Sequence, residues 1–118
     1  MVNVKNIAKE TPLVHASCML RTSAYRAING YSESPRYIRV EDYDLWIRMF
    51  STGAKGYSLE DVLYMINDSR TSASRKLFKY RINEARVKCD AIKKFKLGWN
   101  NYVFAIRPLV IGIIPAPL

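Results

Sequence analysis

The chain has 118 residues, of which 49% are hydrophobic, 12% aromatic and 25% charged. This length provides one packed core and excludes two large domains. The composition excludes a disordered or collagen-like chain, and two cysteines are too few for a disulfide scaffold, so we expect an intracellular globular protein. The formal net charge of +9 is unevenly placed. Residues 1–68 carry eight basic and eight acidic side chains, whereas residues 69–118 carry eleven and two.

The two ends of the chain differ in character. Residues 1–10 mix charges and lack the apolar region of a secretory signal. Residues 102–118 are almost wholly apolar except for Arg107, but their longest charge-free run, 108–118, is shorter than the roughly 20 residues that span a bilayer. We therefore expect no transmembrane helix. An apolar end without a polar stop is typical of a chain cut from a longer protein.

The first predicted elements are a strand and a short helix. Apolar residues alternate with others over 14–20, which predicts a strand. A helix over 23–28 follows, and Asn29-Gly30 is expected to close it in the left-handed conformation. Residues 31–40 have no periodicity and are predicted to form a loop.

The next helix is predicted to begin at Glu41 or Asp42 and to end at Thr52, before Gly53, because acids favour a helix start and glycine favours a stop. Two short strands are predicted to follow, over 55–58 and 62–66. The apolar residues of the expected buried face of this helix are Leu45, Trp46, Met49 and Phe50.

The second part of the chain is predicted to contain the longest helix. Residues 67–74 form a polar loop, in which Ser72 or Ser74 can cap a helix that ends near Lys96 or Gly98. Its remaining faces carry many lysines and arginines, so the pattern is that of a basic amphipathic helix. The apolar stripe of this helix consists of Phe78, Ile82, Ala85, Cys89 and Ile92.

The densest polar motif is the run Glu41-Asp42-Tyr43-Asp44 at the predicted start of the second helix. Acids in a first turn satisfy free backbone N–H groups and the helix dipole, which alone explains one or two of them. Asp42 and Asp44 also match the Asp-x-Asp pattern by which two carboxylates hold a divalent cation, although that pattern usually ends an apolar strand. Both interpretations stay open at the level of the sequence.

Taken together, four segments resemble the C-terminal, acceptor-side half of a family 2 glycosyltransferase with the GT-A fold, over residues 11 to about 117. The resemblance implies an α/β fold, a partial Rossmann-like domain with a short mixed sheet. It divides the chain into an acceptor-side part of a catalytic domain, 1–68, and a basic helix with an apolar, truncated tail, 69–118. The four segments are 14–23 (VHASCMLRTS), 29–32 (NGYS), 41–48 (EDYDLWIR) and 61–64 (DVLY).

The resemblance also implies a reaction. Such an enzyme transfers a sugar, with inversion, from a nucleotide-sugar donor to a saccharide or lipid-linked acceptor in cell-surface polysaccharide synthesis. A carboxylate takes the proton of the acceptor hydroxyl, and the matching residue here is Asp42, with Glu41 as its neighbour. The family holds a divalent cation, Mn or Mg, through an Asp-x-Asp in its N-terminal half. That half has no counterpart in this chain, so we expect no bound cation here.

Four further residues are candidates for substrate contacts. Trp46 is expected either to stack on a sugar ring or to belong to the core. His15 stands where the family commonly has a histidine before a strand that lines the cleft, but a polar residue on a strand face is an equal explanation. Asp44 completes the acidic motif. Asn67 follows where the family often has an arginine and then a histidine, and it is better suited to a hydrogen bond than to a metal.

The basic second part allows a solvated helix face, nucleic-acid binding or attachment to an anionic membrane surface. Few aromatics accompany the charges, so nucleic acid ranks last. Membrane attachment explains the apolar tail as well, and it predicts a cytoplasmic protein peripheral to the membrane. The alternative to an enzyme is thus a non-catalytic membrane-surface or interaction module. Unpaired strand edges in an isolated piece of the fold also predict self-association.

Overall fold

The computed structural model describes residues 1–67 and 77–114. Within these two ranges the chain forms helices and no strand. Four short 3-10 helices cover Val4–Asn6, His15–Ser17, Pro35–Tyr37 and Trp99–Asn101. The α-helices are α1 (Thr22–Ala27), α2 (Glu41–Ser51), α3 (Phe78–Lys94) and α4 (Tyr102–Ile113).

The prediction of an α/β fold with a Rossmann-like mixed sheet is therefore wrong for the described residues. At 14–20 the backbone turns locally, because Ser17 N–H bonds the Val14 carbonyl at 3.2 Å and Cys18 N–H bonds the His15 carbonyl at 3.1 Å. The segments 55–58 and 62–66 are not strands either. A strand needs a neighbour to satisfy its backbone groups, and the described residues supply none.

Self-association was predicted from unpaired strand edges. The described residues contain no strand and therefore no such edge, so this reason no longer applies. Residues 59–66 are nevertheless exposed, and most of them are apolar. Self-association thus stays a prediction, now resting on exposed apolar side chains. Light scattering that detects only a compact monomer at high concentration would contradict it.

The turn after α1 matches the prediction. Asn29 and Gly30 both have positive φ, 58° and 65°, and the Gly30 N–H bonds the Tyr25 carbonyl at 3.0 Å. A side chain at Gly30 would place its Cβ 2.7 Å from the Tyr25 hydroxyl, so the turn requires glycine on both counts. The tight turn brings the ring of Tyr31 against that of Tyr25, with centroids 5.9 Å apart.

The predicted α2 is confirmed to within one residue. It begins at Glu41 and ends at Ser51, and Gly53 follows with φ 87°. All four apolar residues of the predicted face are buried, and the helix buries more than that face because the chain covers it on several sides. The buried residues of α2 are Tyr43, Asp44, Leu45, Trp46, Ile47, Met49 and Phe50.

The main core lies between the N-terminal segment, α2 and α3. Ile7 from the N-terminal segment and Val40 before α2 join the apolar side chains of α2. Val87 and Ala91 complete the cluster from α3. The Tyr43 hydroxyl donates a hydrogen bond to the Ile7 carbonyl and thereby ties α2 to the start of the chain.

A second, smaller cluster joins α3 to α4 through Ala8, Ile92 and Ala105. The predicted stripe of α3 is thus only one of two buried faces, since Val87 and Ala91 pack toward α2 instead. At the start of the stripe, Phe78 is exposed. The second face was missed because Asn83 and Lys88, which are buried with it, look like surface residues in the sequence.

α4 is apolar but mostly exposed, with Ala105 and Pro108 as its buried residues. Of the helices in the described ranges, none combines the length and the apolar character needed to cross a membrane. The predicted domain boundary at 68 and 69 and the proposed caps Ser72 and Ser74 lie outside the described residues, and they stay predictions.

Candidate functional site

The imidazole of His15 connects three separate parts of the fold. The His15 Nε2 is 2.6 Å from the hydroxyl of Tyr31, which follows the turn after α1. The same ring packs edge-on against the rings of Tyr31 and Trp46, with centroids 5.8 Å away in each case. The 3-10 turn at 15–17, the turn after α1 and the helix α2 therefore meet in one aromatic cluster, which we call the His15 cluster: His15, Tyr31 and Trp46.

Within this cluster, Trp46 belongs to the core. Its side chain is 1% exposed and its ring lies 6.3 Å from that of Phe50. This burial favours the core interpretation of the tryptophan over stacking on a sugar. The indole Nε1 and the His15 Nδ1 are both buried, and neither has a hydrogen-bond partner among the described residues. An unpaired buried polar atom costs about 1–3 kcal/mol, so these are atoms that a ligand hydroxyl or a water would satisfy.

Tyr31 is the accessible member of the cluster, at 40% exposure. Its pKa is raised, first by burial, next by Tyr25, and then by the charges of Asp42 and Glu41. The phenol therefore stays protonated at neutral pH and can donate a hydrogen bond. The first turn of α2 is linked to this phenol through the cluster, because Asp42 lies one helical turn before Trp46, whose ring packs on His15.

A groove of about 510 Å³ runs beside Tyr31. The groove is shallow and open to solvent. Tyr31 was not predicted to be a site residue, although it belongs to the turn Asn29-Gly30-Tyr31-Ser32, which is one of the four segments that carry the family resemblance. The signal that identifies it is an aromatic residue placed directly after a glycine turn. The groove is lined by Tyr25, Arg26, Asn29, Gly30, Tyr31 and Glu33.

The two predicted catalytic acids occupy the first turn of α2. Glu41 is exposed and Asp42 is half-buried. One oxygen of Asp42, Oδ1, accepts the backbone N–H of Tyr43 at 2.8 Å. The other oxygen has no hydrogen bond or ion pair within 1–67 and 77–114. Asp42 thus has one oxygen committed to the helix start and one available to accept a proton.

Asp44 has a different role from Asp42. It is buried, and its Oδ2 accepts a hydrogen bond from Arg48 Nε at 2.8 Å. The same guanidinium donates through Nη1 to the Ile28 carbonyl, also at 2.8 Å. Asp44 therefore connects α2 to the end of α1 through Arg48, and so it helps to position the turn that carries Tyr31.

These positions do not fit a metal site. Residues two apart on a helix do not face each other, so Asp42 and Asp44 are poorly arranged to share a cation, and Asp44 is already paired with Arg48. In the part of the chain that the structure describes, no three His, Cys, Asp or Glu side chains come together as metal ligands. The Asp-x-Asp interpretation of this motif is therefore unsupported here.

The last predicted site residue, Asn67, lies exposed at the end of the first described range. Sequence reasoning thus named six residues, and the structure brings four of them to one region: His15 and Trp46 in contact, with Glu41 and Asp42 on the adjoining helix turn. Asp44 supports that region from inside the fold. No contact described above joins Asn67 to it.

A second polar groove, of about 440 Å³, lies between α2, α3 and the 3-10 turn at 35–37. Arg36 forms two hydrogen bonds with the carboxylate of Asp90, at 2.8 and 2.9 Å, and the Tyr37 hydroxyl donates to the same carboxylate at 3.2 Å. Burial and then the charge of Asp90 raise the pKa of Tyr37. This groove was not anticipated, because its partners come from distant parts of the sequence.

Comparison with known proteins identifies one informative relative. The chain is 37% identical over 110 residues to the protein named "Putative glycosyltransferase EpsE" of Bacillus subtilis (strain 168), a match that covers 93% of this chain and 40% of the relative. No protein-family model matches the chain, and no solved structure matches it significantly. The chain thus resembles a glycosyltransferase along nearly its whole length, but it spans less than half of that protein.

Proposed function

We propose that this chain supplies the acceptor side and the general base of an inverting, family 2 glycosyltransferase. Its substrates would be a nucleotide-sugar donor and a saccharide or lipid-linked acceptor in cell-surface polysaccharide synthesis. The observation that carries the proposal is the uncommitted oxygen of Asp42, one helical turn before Trp46, whose ring packs on the histidine that holds Tyr31. The similarity to a protein named as a glycosyltransferase supports the same class of reaction.

The proposed reaction is a single displacement at the anomeric carbon of the donor. An acceptor hydroxyl lies in the groove beside Tyr31, and its oxygen forms a bond to the anomeric carbon. The bond from that carbon to the leaving diphosphate breaks with its electron pair, while the hydroxyl proton passes to Asp42. Because the acceptor oxygen attacks from the side of the anomeric carbon that is opposite the leaving diphosphate, the configuration at that carbon is inverted.

The remaining residues of the region position this carboxylate and the acceptor. The phenol of Tyr31 is held by the His15 ring, and its oxygen can accept a hydrogen bond from a sugar hydroxyl. Asp44 and Arg48 hold α2 against the end of α1. Glu41, as the exposed neighbour of Asp42, adds negative charge at the mouth of the site and is proposed to contact the acceptor.

The donor and its cation are proposed to bind outside these residues. The leaving diphosphate of such a reaction is commonly stabilised by a divalent cation, Mn or Mg. Because the chain spans 40% of the relative that it matches, the proposal places donor and cation binding in the part of a longer enzyme for which this chain has no equivalent.

Replacement of Asp42 by asparagine tests the proposal, in the intact polypeptide that contains this chain. We expect sugar transfer to fall by about 10²- to 10⁴-fold, because the positioned base is lost. Asp61→Asn, at an exposed aspartate in 59–66, is the matched control and should transfer sugar normally. If Asp42→Asn turns over like the wild type while both variants fold, then Asp42 only supports the start of the helix.

A second candidate function is the non-catalytic membrane-surface module. The observation that favours it is the exposed apolar side of α4, because an apolar helix surface of this kind needs a partner. The two functions are compatible in one enzyme that is cytoplasmic and peripheral to the membrane. They are separated by the Asp42→Asn measurement, to which a purely membrane-binding role would be insensitive.

A further inference from the structure

α4 and the 3-10 turn before it present a continuous apolar surface. Every member of this surface is at least half exposed, and the spacings of four, three, four and three residues place them on one side of a helix. The buried residues of α4, Ala105 and Pro108, lie on the other side, which packs on α3. We call the exposed surface the outer face of α4; it consists of Trp99, Val103, Ile106, Val110 and Ile113.

The tryptophan at the start of this face is unusual for a protein surface. Trp99 is 86% exposed, whereas Trp46 is 1% exposed. Indole rings favour an environment that is apolar at one end and hydrated at the other, and they are enriched where proteins meet the headgroup region of a membrane. The position of Trp99 at one end of an apolar helix face matches that arrangement.

The charge around the outer face is strongly positive. Residues 77–114 contain eight basic and two acidic side chains. Both acids already form ion pairs, Asp90 with Arg36 and Glu84 with Arg81 and Lys88, and eight basic against two acidic side chains leave this range with a net positive charge. Two exposed basic residues belong to this region: Lys96 lies just before Trp99, and Arg107 lies on α4 itself. Lys93 and Lys94, also exposed, line the groove between α2 and α3 and add to the positive charge of the same range.

A second exposed apolar segment provides a contrast in charge. Residues 59–66 include side chains as exposed as Val62, at 96%. This segment contains Glu60 and Asp61 and no lysine or arginine. Both of these surfaces are apolar and exposed, and of the two it is the outer face of α4 that also has positive charge around it. This combination of apolar side chains and positive charge favours a binding partner that has an apolar interior and a negatively charged surface.

The sequence analysis expected membrane attachment from the charges of the basic helix, which is α3, together with the apolar tail, of which α4 is the described part. The apolar side chains of α3 are occupied, however, because Val87 and Ala91 face the main core and Ile92 faces α4. α3 therefore offers charge but little free apolar surface, and α4 supplies the apolar surface.

We propose that the outer face of α4 docks on an anionic lipid surface. The helix lies in the plane of the membrane, Trp99 sits at the level of the headgroups and Ile106 reaches the acyl boundary. The neighbouring basic residues contact anionic headgroups. A helix of this length lies along the interface because it is too short to cross a bilayer. This inference rests on the second candidate function, which it makes specific, and it is independent of sugar transfer.

Vesicle co-sedimentation of the 118-residue chain tests the proposal. We expect binding to vesicles of phosphatidylcholine with phosphatidylglycerol, and at least tenfold weaker binding to phosphatidylcholine alone. Ile106→Glu should weaken binding to the anionic vesicles at least tenfold. Val62→Glu, which places the same charge on the other exposed apolar segment, is the control and should bind like the wild type. Far-UV circular dichroism of each variant confirms its fold.

Fluorescence of Trp99 provides a second readout. On binding to the anionic vesicles, its emission should shift to shorter wavelength and be quenched by lipids with brominated acyl chains. Trp99→Phe should remove both changes, because the buried Trp46 is already shielded. Replacement of Lys93, Lys94 and Lys96 by glutamine should weaken binding and reduce its dependence on salt.

Several outcomes would overturn the proposal. It fails if the chain does not bind anionic vesicles, or if Val62→Glu weakens binding as much as Ile106→Glu. Binding without any change in Trp99 fluorescence would mean that charge alone holds the chain and that the outer face stays in water. If the chain is a dimer that Ile106→Glu converts to a monomer, and vesicles are not bound, then a second copy covers this face instead.

Discussion

α2 and α4 are nearly equal in length but differ sharply in what they bury. α2 has eleven residues, four of them charged, and buries seven of its side chains. α4 has twelve residues, of which Arg107 is charged, and buries two. The more polar helix is thus the more buried one. Burial follows from position, since α2 lies between the N-terminal segment and α3, whereas α4 contacts α3 with one side.

This difference in burial is compatible with the two roles proposed for these helices. The charged residues of α2 either hold the fold together, as Asp44 and Arg48 do, or remain at its accessible start, as Asp42 does. A buried helix with one available carboxylate is suited to precise chemistry, because its neighbours fix its position. The apolar residues of α4 have no partner of that kind among the described residues, which suits a helix that meets another surface.

The largest expected difference in stability is between replacing Trp46, in α2, and replacing Trp99, just before α4. Trp46→Ala should lower the free energy of unfolding by about 3–5 kcal/mol, because a large buried side chain leaves a cavity. Trp99→Ala should change it by no more than about 0.5 kcal/mol, since Trp99 is exposed. Urea unfolding followed by circular dichroism measures both.

Equal losses for the two alanine variants would remove the contrast, because they would mean that Trp99 is packed in solution. Should Trp46→Ala be too unstable to fold, Trp46→Phe offers a smaller substitution with a measurable loss. Trp99→Phe then serves as its matched control.

Two ion pairs provide the next contrast, of intermediate size. Asp44 is 6% exposed and Arg48 is 23% exposed in their pair, whereas Asp90 and Arg36 are 28% and 46% exposed. Asp44→Asn should cost about 2 kcal/mol, because a charge-assisted hydrogen bond is lost and the Arg48 charge is left half-buried. Asp90→Asn should cost no more than about 1 kcal/mol, because solvent screens the more exposed pair.

Chemical denaturation at low and high salt distinguishes the two pairs. The loss for Asp90→Asn should shrink in about 0.5 M NaCl, while that for Asp44→Asn should persist. If both substitutions lower the free energy of unfolding by the same amount and both losses change equally with salt, then the Asp44–Arg48 pair is no better shielded from solvent than the Arg36–Asp90 pair.

The same contrast explains how much of the fold the sequence predicts. α2 was located to within one residue, because acids at its start, a glycine at its end and a regular apolar face all agree. The turn at Asn29-Gly30 was located for a similar reason. These signals are local, and the described structure retains them whatever the rest of the chain does.

The wrong predictions concern structural features that depend on contacts with residues distant in the sequence. Alternation over 14–20 and the apolar run 62–66 indicate residues that could pair in a sheet, but pairing requires a neighbouring strand. Without one in the described ranges, the first segment turns into a 3-10 helix and the second lies exposed. The second buried face of α3 was missed for the opposite reason, since a partner on each side buries residues that look polar.

The candidate site was partly predictable for the same reasons. Glu41, Asp42, Trp46 and His15 were selected from motifs, and the structure brings these four to one region. Tyr31 was not selected, because its proximity to His15 and to the acids depends on how the turn after α1 packs. Asp44 was expected to contact substrate, which stays a prediction; in the structure it is buried and paired with Arg48.

The smallest expected effect concerns a single hydrogen bond on the buried side of α2. The pKa of Tyr43 is raised because burial disfavours the phenolate, and the charges of Glu84 and Glu10 act in the same direction. The folded state therefore holds this proton more tightly than the unfolded chain does. The resulting stabilisation is complete below the ordinary tyrosine pKa of about 10 and is lost as the pH rises through the folded-state value.

Tyr43→Phe separates the hydrogen bond from the titration. At neutral pH the variant should lose about 1 kcal/mol, because the Ile7 carbonyl no longer receives the phenol's hydrogen bond. Between about pH 9 and 11 its stability should fall less steeply than that of the wild type, since no buried phenol remains to ionise on unfolding. Urea unfolding at several pH values measures both effects, and Tyr57→Phe, at an exposed tyrosine, should leave the neutral-pH stability within about 0.5 kcal/mol of the wild type. If the free energy of unfolding of Tyr43→Phe falls as steeply with pH as that of the wild type, then water reaches this side of α2. In that case α2 would not be more buried in solution than α4.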